Sequence, residues 1–414
     1  MSPLAAAGIS ASSSACRHAW EQRQLGEVAE ICRGLTYSPS ALSDSKDGVR
    51  VLRSSNIDDG IFTIHDDDVF VSRSCINVGY IQRNDILMTA ANGSNALVGK
   101  HAIIPAVSVE RMAPGGFMYR LHSEQPTFLN SYFSSPSFNR FLSSHVLGGD
   151  GSIGNLSRND LAAWFLSIPN DNEQRRIGEF FSTLDSLIAA AERQEALLKQ
   201  KKQAYLQLMF PQEGEAQPRL KFNGFSGEWE SLQLGKLYEK NTERNGNQFD
   251  AGKTLSVSSM TFNAFGNGAA EESLTTYKVL RIGDAAFEGH TSNEFAFGRF
   301  VVNTIGDGIM SPRFTAIRPT ARWRQSCDLD FWSCYLHDEN VMKRILVRST
   351  KRGTMMNELV LDDFFTERIR VPSLPEQRHI GKFFSTLDSL IAASEKRTAS
   401  LHALKSAYLQ RMFV

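Results

Sequence analysis

A duplicated segment of eleven residues, FFSTLDSLIAA, is the feature that most constrains this chain. It begins at Phe180 and occurs again, without a change, at Phe383. The similarity continues on both sides, because each copy starts with P-x3-E-Q-R-x-I-G and closes with A-Y-L-Q-x-M-F. Identity of this length does not arise by chance, so the chain consists of two halves that share one structural unit.

A shorter repeat opens each half. The motif W-E-x3-L-G starts at Trp20 and at Trp229, whereas the sequences between the repeats are almost unrelated. The chain therefore alternates between variable and repeated parts. The predicted segments are a disordered leader at 1–19, a first variable domain at 20–168, a first repeated helix at 169–210, a linker at 211–228, a second variable domain at 229–371 and a second repeated helix at 372–414.

The repeated segments have the hydrophobic spacing of helices. After Gly178 in the first segment and Gly381 in the second, there is no proline and no further glycine. Each helix can therefore run for about 55 to 60 Å. A narrow apolar stripe on so long a helix predicts that the two copies pair as a coiled coil; two separate bundle helices are the alternative. The predicted seam residues are Phe181, Leu184, Ile188, Leu198, Tyr205, Phe384, Leu387, Ile391, Leu401 and Tyr408.

The variable segments contain short runs of β-branched and alternating residues, such as Val49–Leu52 and Phe314–Ile317, separated by Gly, Asn, Asp and Ser. This pattern indicates strands joined by turns. The predicted fold class is therefore mixed α/β, of the α+β kind, with two β-rich domains separated by two long helices. Pro and Gly in the polar segment 211–228 mark the linker between the halves.

Composition limits the class of protein. Of the 414 residues, 42% are hydrophobic and 22% are charged, and no apolar run is long enough for a membrane helix. Five cysteines without a C-x-x-C pair argue against disulfides and zinc ribbons, which predicts a soluble protein of the reducing cytoplasm. The formal net charge is zero, so any nucleic-acid binding must depend on local patches.

Motifs for catalysis are missing from the sequence. There is no complete nucleotide-binding loop, since Gly252-Lys253-Thr254 lacks the upstream glycine, and no Pro-Pro pair for an adenine methyltransferase motif. Zinc-protease, nucleophile-elbow and Cys/His metal motifs are also missing. We therefore predict no catalytic residue, no metal site and no bound cofactor.

The two E-Q-x2-I-G-x-F-F-S-T-L-D-S-L-I segments, each closing with Y-L-Q-x-M-F, resemble the specificity subunit of type I restriction-modification systems. The W-E-x3-L-G openings and the segment from Arg219 to Trp229 are also similar to that family. The resemblance implies two target-recognition domains, each reading one half of a split DNA site, and two helices packed antiparallel that set the gap.

The same resemblance implies the partners of the chain. These are double-stranded DNA, two methylation subunits and two motor-nuclease subunits, with no membrane. The chain itself would be non-catalytic, and S-adenosylmethionine, ATP and Mg would be bound by the partner subunits.

DNA contacts are expected from polar side chains on loops and from one basic region. Arg reads guanine and Asn reads adenine in the major groove, while Lys and Arg bind phosphates. The candidates for base reading are Arg53, Ser54, Ser55, Asn56, Asn92, Ser94, Asn95 and Lys100 in the first domain, and Ser256, Ser258, Ser259, His290, Asn293 and Arg313 in the second. The phosphate candidates are Arg318, Arg322, Arg324, Lys351 and Arg352.

For each of these residues, turn formation or a solvated surface is the competing interpretation. The competing function for the chain is an interaction scaffold without DNA, in which two ligand-binding domains sit on a coiled-coil spacer. A free-standing nuclease or methyltransferase is countered by the missing motifs.

Overall fold

The computed structural model describes residues 20–43, 48–105, 111–148, 153–212 and 214–413. The predicted leader at 1–19 lies outside the described residues. The chain divides into two compact units: unit 1 contains the residues up to 191 and from 397 onward, and unit 2 contains residues 192–396. Each of the two long helices therefore contributes to both units.

Unit 1 is rich in short strands. Its elements are β1 (Glu21–Gln24), α1 (Leu25–Val28), β2 (Glu30–Arg33), β3 (Val49–Leu52), β4 (Ile57–Asp58), β5 (Ile61–Phe62), β6 (Val69–Val71), β7 (Ile86–Thr89), β8 (Ala91–Asn92), β9 (His101–Ile103), β10 (Met112–Pro114), β11 (Met118–His122), α2 (Pro126–Phe133), α3 (Pro136–His145), β12 (Val146–Leu147), β13 (Gly154–Leu156), α4 (Arg158–Ala163), β14 (Phe165–Ile168) and the long helix α5 (Asp171–Met209).

Unit 2 follows the same general order. Its elements are β15 (Glu230–Gln233), α6 (Leu234–Leu237), β16 (Tyr238–Lys240), β17 (Thr254–Ser256), β18 (Thr261–Asn263), β19 (Lys278–Leu280), β20 (Ala285–Glu288), β21 (Arg299–Val302), β22 (Gly308–Met310), β23 (Thr315–Pro319), α7 (Ala321–Arg324), α8 (Leu329–Tyr335), α9 (Glu339–Ser349), β24 (Thr350–Lys351), β25 (Glu358–Leu359), α10 (Leu361–Thr366), β26 (Arg368–Val371) and the long helix α11 (Leu374–Met412).

The central sheet of each unit has the same topology. Unit 1 has the antiparallel order β2-β11-β7-β9, and unit 2 has the antiparallel order β16-β23-β20-β21. In both units a strand that follows the W-E-x3-L-G motif therefore lies at the edge. The duplication thus extends to the variable segments, although their sequences share little. The predicted mixed α/β fold with two β-rich parts and two long helices is confirmed.

The opening motif and the helix motif of each half meet in space. The Trp20 indole donates a hydrogen bond to Glu173 over 3.3 Å, and the Trp229 indole donates to Glu376 over 3.1 Å. Both glutamates lie in the first turn of a long helix. The repeated sequence motifs therefore anchor each long helix to the strand pair that precedes it in the fold, β1–β14 or β15–β26.

The repeated glycine in each helix motif allows close packing. A Cβ at Gly178 would lie 2.2 Å from the Thr127 hydroxyl oxygen at the start of α2, and one at Gly381 would lie 2.4 Å from an Asp328 carboxylate oxygen before α8. Any larger residue would push the long helix away from the neighbouring helix. The glycines are therefore explained by packing.

The long helices run antiparallel to each other. In unit 1 the start of α5 packs on the end of α11, because the Phe181 ring stacks on Phe413 at 5.8 Å. In unit 2 the end of α5 packs on the start of α11, where the rings of Phe210 and Phe384 lie 5.5 Å apart. These contacts bring the N-terminal end of each helix to the C-terminal end of the other. The antiparallel pairing expected from the resemblance is confirmed.

The seam of this helix pair includes charges as well as apolar residues. Lys405 pairs with Asp185 over 2.7 Å in unit 1, and the duplicate Lys202 pairs with Asp388 over 2.5 Å in unit 2. Among the predicted seam residues, Phe181, Leu184, Ile188, Phe384 and Leu387 are buried, and Leu198, Tyr205, Ile391, Leu401 and Tyr408 are half-buried. Lys202 and Lys405, which interrupt the apolar stripe, therefore pair with aspartates of the partner helix.

The segment predicted as a linker packs on the helices of unit 2. Leu220 donates its amide to the Leu208 carbonyl over 2.9 Å, the Phe222 ring lies 5.9 Å from Phe383, and the Phe225 ring lies 5.2 Å from His379. The two phenylalanines in the polar segment account for this packing.

Candidate nucleic-acid interface

The candidate residues of unit 1 gather at one edge of the sheets. The loop after β3 and the end of β7 meet where the Thr89 hydroxyl lies 3.2 Å from the Ser54 hydroxyl. Next to them, the Phe117 carbonyl accepts the amides of Ala90 and Ala91 at 2.8 and 3.1 Å. We call residues 53–56, 90–95, 115–117, 147–148 and 153–155 the loop edge of unit 1.

Several polar candidates on this edge hold the loops in place. The Asn92 side chain accepts the Ser94 amide at 3.0 Å, and the Asn95 side chain donates to the Gly148 carbonyl at 2.8 Å. Ser55, Ser94 and Asn95 are exposed, and Arg53, Ser54, Asn92 and Lys100 are half-buried. The Nε atom of Arg53 is buried and has no hydrogen-bond partner among the described residues. These side chains retain hydrogen-bonding capacity at the surface.

Asn56 differs from these candidates, because its side chain has no free hydrogen-bonding capacity at the surface. It is completely buried, its side-chain oxygen accepts the Arg53 amide at 2.7 Å, and its nitrogen donates to Thr63 and Asp68 at 3.0 and 2.8 Å. All of its hydrogen-bonding groups are used inside the protein, so it cannot read a base from this conformation. In this structure Asn56 fixes the loop, and the base contact predicted for it stays a prediction.

Asp68 is the centre of the network that fixes this loop. It accepts hydrogen bonds from Arg50 at 2.7 Å, from Asn56 at 2.8 Å and from the His65 amide at 3.0 Å. Burial raises the pKa of the Asp68 carboxyl, but these donors outweigh that effect and hold the pKa below its ordinary value. The ionised carboxylate therefore stabilises the loop that carries Arg53.

We expect the Asp68 carboxylate to make the free energy of unfolding depend on pH in the acidic range. Because its pKa is lower in the folded state than in the unfolded state, its contribution is present above about pH 4 and is lost as the pH falls through the folded-state pKa. Asp68→Asn should cost about 2 kcal/mol at pH 7 and should remove this acid dependence. Unfolding by urea at pH 7 and pH 3 measures both effects. Asp66→Asn, at an exposed neighbour, is the matched control, and an equal effect in both variants would contradict this role.

The candidates of unit 2 gather at the corresponding edge. Arg299 donates to the Ser258 carbonyl at 3.0 Å and to the Glu288 carboxylate at 2.7 Å, and Glu288 also lies 3.2 Å from the His290 ring nitrogen. The amide of Asn357 donates to Gly289 over 2.8 Å. We call residues 256–260, 288–293, 311–314 and 351–357 the loop edge of unit 2. Of its predicted members, Ser258, Ser259, His290, Asn293, Arg313, Lys351 and Arg352 are exposed, and Ser256 is half-buried.

Arg299 is a residue that the sequence analysis missed. It lies opposite Glu288 in the β20–β21 pair, and it corresponds to Lys100, whose carbonyl accepts the amide of Thr89 at the end of β7. One basic residue thus stands at the same place in both units. Only the correspondence of the two sheets shows this, because the surrounding sequences differ.

The predicted basic region, which extends from residue 313 to residue 352, does not form a single surface patch. Arg313 precedes β23 and lies at the loop edge, whereas Arg318 is near the other end of that strand and Arg322 and Arg324 are on the helix that follows. Lys351 and Arg352 return to the loop edge through the contact between Asn357 and Gly289. These basic residues are therefore close in sequence but lie at two separate locations in the structure.

Arg318 has a structural role. Its guanidinium lies 2.7 Å from an oxygen of the fully buried Asp284 and 2.7 Å from Glu243. The hydrogen bonds to Asp284 and Glu243 raise the pKa of Arg318 further above its ordinary value. The charge of Arg318 thus neutralises buried and partly buried carboxylates, and the phosphate contact predicted for it stays a prediction.

A second group of basic residues lines a cleft of about 940 Å³ in unit 2. It lies between α9, β26 and the start of the segment predicted as a linker. The basic residues are Lys343, Arg344, Arg348, Arg368 and Arg370, and the acidic ones are Glu215 and Glu367. At the corresponding strand of unit 1, Phe165 and Ser167 stand opposite Gln24 and Gln22, where Arg368 and Arg370 stand opposite Gln233 and Ser231. The cationic character of this surface is therefore a property of one unit.

The described residues contain no group of three or more His, Cys, Asp or Glu side chains that could hold a metal ion. Within the same ranges, none of the helices has the length and the apolar character needed to cross a bilayer.

Comparison with known proteins gives one matching family model. Residues 18–200 match the model of the type I restriction modification DNA specificity domain. Residues 18–200 therefore belong to this domain family, and they make up less than half of the chain. A curated relative is the specificity subunit of the type I restriction enzyme StySPI of Salmonella potsdam, which is 29% identical over 199 residues. That alignment covers 45% of this chain and 42% of the relative, so it spans less than half of either protein.

A structural similarity extends over nearly the whole chain. The crystal structure of the S subunit of a type I restriction-modification system from M. genitalium superposes with a TM-score of 0.58. The superposition covers 97% of this chain and 98% of that subunit, at 14% sequence identity. This similarity shows that both halves of the chain share the fold of that subunit.

Proposed function

We propose that this chain is the DNA-specificity subunit of a type I restriction-modification complex and reads a split, asymmetric DNA site. The observation that carries the proposal is that two units with one scaffold present different polar side chains at corresponding loop edges. Two such edges on non-identical units suit two different half-sites. Residues 53–55, 92–95 and Lys100 read one half, and residues 256–259, 290–293 and Arg313 read the other.

Base reading and phosphate binding fall to different residues in this proposal. Arg, Asn and Ser side chains at the loop edges are of the types that hydrogen-bond to base edges in the major groove. Lys351 and Arg352 at the loop edge of unit 2, together with Arg322, Arg324 and the basic cleft, bind phosphates. Because the net charge of the chain is zero, partner subunits supply further phosphate contacts.

The paired helices set the unspecified gap between the two half-sites. Each long helix has 39 residues, which corresponds to about 58 Å. Two readers on one face of a duplex lie about 34 Å apart for each helical turn. Helices of this length are sufficient to carry readers at such a separation.

The partners in this proposal are two methylation subunits and two motor-nuclease subunits, in the cytoplasm. Leu187 and Leu390, which are duplicates of each other, are 44% and 49% exposed. Exposed apolar residues at equivalent positions suit two equivalent docking sites for the methylation subunits. The methylation subunits bind S-adenosylmethionine, and the motor-nuclease subunits bind ATP and Mg, so catalysis belongs to those chains.

The test is to co-express the chain with its cognate adenine methyltransferase and to map modified adenines across a genome. We expect two short defined sequences separated by a fixed gap. Exchange of residues 20–168 for the same segment of another family member should change one half of the site only. Modification without such a motif, in the presence of a stable and active complex, would favour the interaction scaffold without DNA function.

A further inference from the structure

The two units present different side chains from equivalent turns. In unit 1 the Met118 amide donates to the Gly115 carbonyl at 2.8 Å, and in unit 2 the Phe314 amide donates to the Ser311 carbonyl at 3.3 Å. The following strands pair with β7 and β20 in the same register, with Leu121 opposite Ile86 and Ile317 opposite Ala285. Counting back along each strand places Phe117 and Arg313 at the same position of the scaffold.

Phe117 is an exposed aromatic residue in the middle of a polar edge. Its side chain is 62% exposed, although its carbonyl is fixed by the amides of Ala90 and Ala91, which directly precede Asn92. The backbone around it is therefore held in place while the ring faces solvent. An exposed large apolar side chain on a fixed backbone contributes little to the core and is available to a partner.

Two further apolar residues lie on the same edge. Leu147 is 69% exposed and pairs with Asn155, which in turn pairs with Ala91. Ile153 is 56% exposed and precedes Gly154, the partner of Asn92. Phe117, Leu147 and Ile153 therefore form an apolar rim around the polar tips at residues 92–95.

The chemistry of the major groove indicates what such a rim contacts. The methyl group of thymine is the apolar group that a base pair presents there, and Phe is one of the residues that contact it. Arginine at the same position has the opposite preference, since its guanidinium hydrogen-bonds to guanine O6 and N7. One scaffold position that carries Phe in one unit and Arg in the other has the character of a specificity position.

We propose that residues 117 and 313 are equivalent specificity-determining positions, at which Phe117 contacts a thymine methyl group in the first half-site and Arg313 reads a guanine in the second. This inference rests on the proposed function. It adds the chemistry of one base position in each half-site, and it assigns the apolar rim of unit 1 to DNA.

Genome-wide mapping of modified adenines with the full complex tests the positions. Phe117→Ala should lower the preference at one position of the first half-site by about tenfold and leave the second half unchanged. Arg313→Ala should do the same in the second half only. Phe117→Arg should shift the relaxed position toward guanine. Leu42→Ala is the matched control, because Leu42 is 56% exposed in the same unit and contacts Val71 near the start of β3, away from the loop edge.

A binding experiment tests the thymine contact directly. The purified complex is titrated with the mapped duplex and with the same duplex carrying uracil, which lacks the methyl group, at the assigned thymine. The wild-type complex should bind the uracil duplex several-fold more weakly, and the Phe117→Ala complex should bind both duplexes equally. This double-mutant cycle removes general effects of the substitution on folding.

The outcomes separate the two proposals. If the wild-type complex gives no split motif, the proposed function fails. If the motif is present and Phe117→Ala leaves it unchanged, or if wild type binds thymine and uracil duplexes equally, only the inference about this turn fails. Loss of methylation-subunit assembly in Phe117→Ala, with assembly intact in Leu42→Ala, would assign the rim to a protein contact and overturn the inference.

Discussion

A fragment of residues 20–213 is expected to form a homodimer that reads a palindromic site. In unit 1 the start of α5 packs on Tyr408, Leu409, Met412 and Phe413 at the end of α11. The end of α5 carries the same four residue types in the same order, at Tyr205, Leu206, Met209 and Phe210. A second copy of α5 can therefore replace α11, and the dimer would carry two copies of the first recognition unit.

The charged contacts of the seam support the same replacement. Lys405 pairs with Asp185 in unit 1, and the fragment contains Lys202 at the position equivalent to Lys405. Sedimentation or light scattering measures the dimer, and adenine mapping with the methylation subunit measures the site. Phe210→Ala should weaken dimerisation by at least about tenfold, since it removes a large buried ring at each end of the helix pair.

Leu208→Ala serves as the control for this experiment, because the Leu208 side chain is 39% exposed on the same turn. A fragment that dimerises but still directs methylation to an asymmetric site would contradict the symmetric scaffold. A fragment that stays monomeric at all concentrations, while its far-ultraviolet spectrum is that of a folded protein, would contradict the exchange of α5 for α11.

Replacement of Arg318 by alanine is expected to destabilise unit 2 by about 3 kcal/mol, because it leaves the buried Asp284 carboxylate without its counter-charge. Asp284 has no exposed surface, and Arg318 donates to its two oxygens at 3.0 and 2.7 Å. Asn241 and the Arg281 amide also donate to this carboxylate, at 3.1 and 2.8 Å, but neither donor carries the balancing charge. The cost therefore comes from burying an uncompensated carboxylate.

Urea unfolding followed by tryptophan fluorescence measures this effect, since Trp229, Trp323 and Trp332 all lie in unit 2. Arg322→Ala is the matched control, because Arg322 is exposed on α7, and it should change stability by no more than about 0.5 kcal/mol. If Arg318→Ala unfolded like wild type and bound DNA more weakly, Arg318 would be a DNA contact and the structural role assigned to it would be wrong.

Much of the fold could be predicted because the sequence contains the same signal twice. The repeat FFSTLDSLIAA and its extensions predicted two long helices, and the apolar spacing predicted that they pair with each other. The W-E-x3-L-G and E-Q-x2-I-G motifs each occur once in each half, and they also predicted structurally equivalent positions in the two halves. The hydrogen bonds from Trp20 to Glu173 and from Trp229 to Glu376 give the physical basis for their recurrence.

The candidate site was predicted less well, because residue type does not reveal burial. Asn56 and Arg318 have the side chains of DNA-binding residues, but both satisfy buried carboxylates, Asp68 and Asp284. Conversely, Phe117 has the side chain of a core residue but is exposed at the loop edge. Leu187 and Leu390, which lie in the duplicated helical segments, are exposed as well.

The sequence by itself determined the duplication, the helix pair and the resemblance to the specificity-subunit family, because these depend on local periodicity and on identical segments that can be compared along the chain. The tertiary structure alone decided which polar side chains are available to a ligand. It also decided that Phe117 corresponds to Arg313 and Lys100 to Arg299. Such correspondences follow from strand register, which pairs residues distant in sequence, and the short strands of the variable segments carry too little sequence similarity to reveal that register.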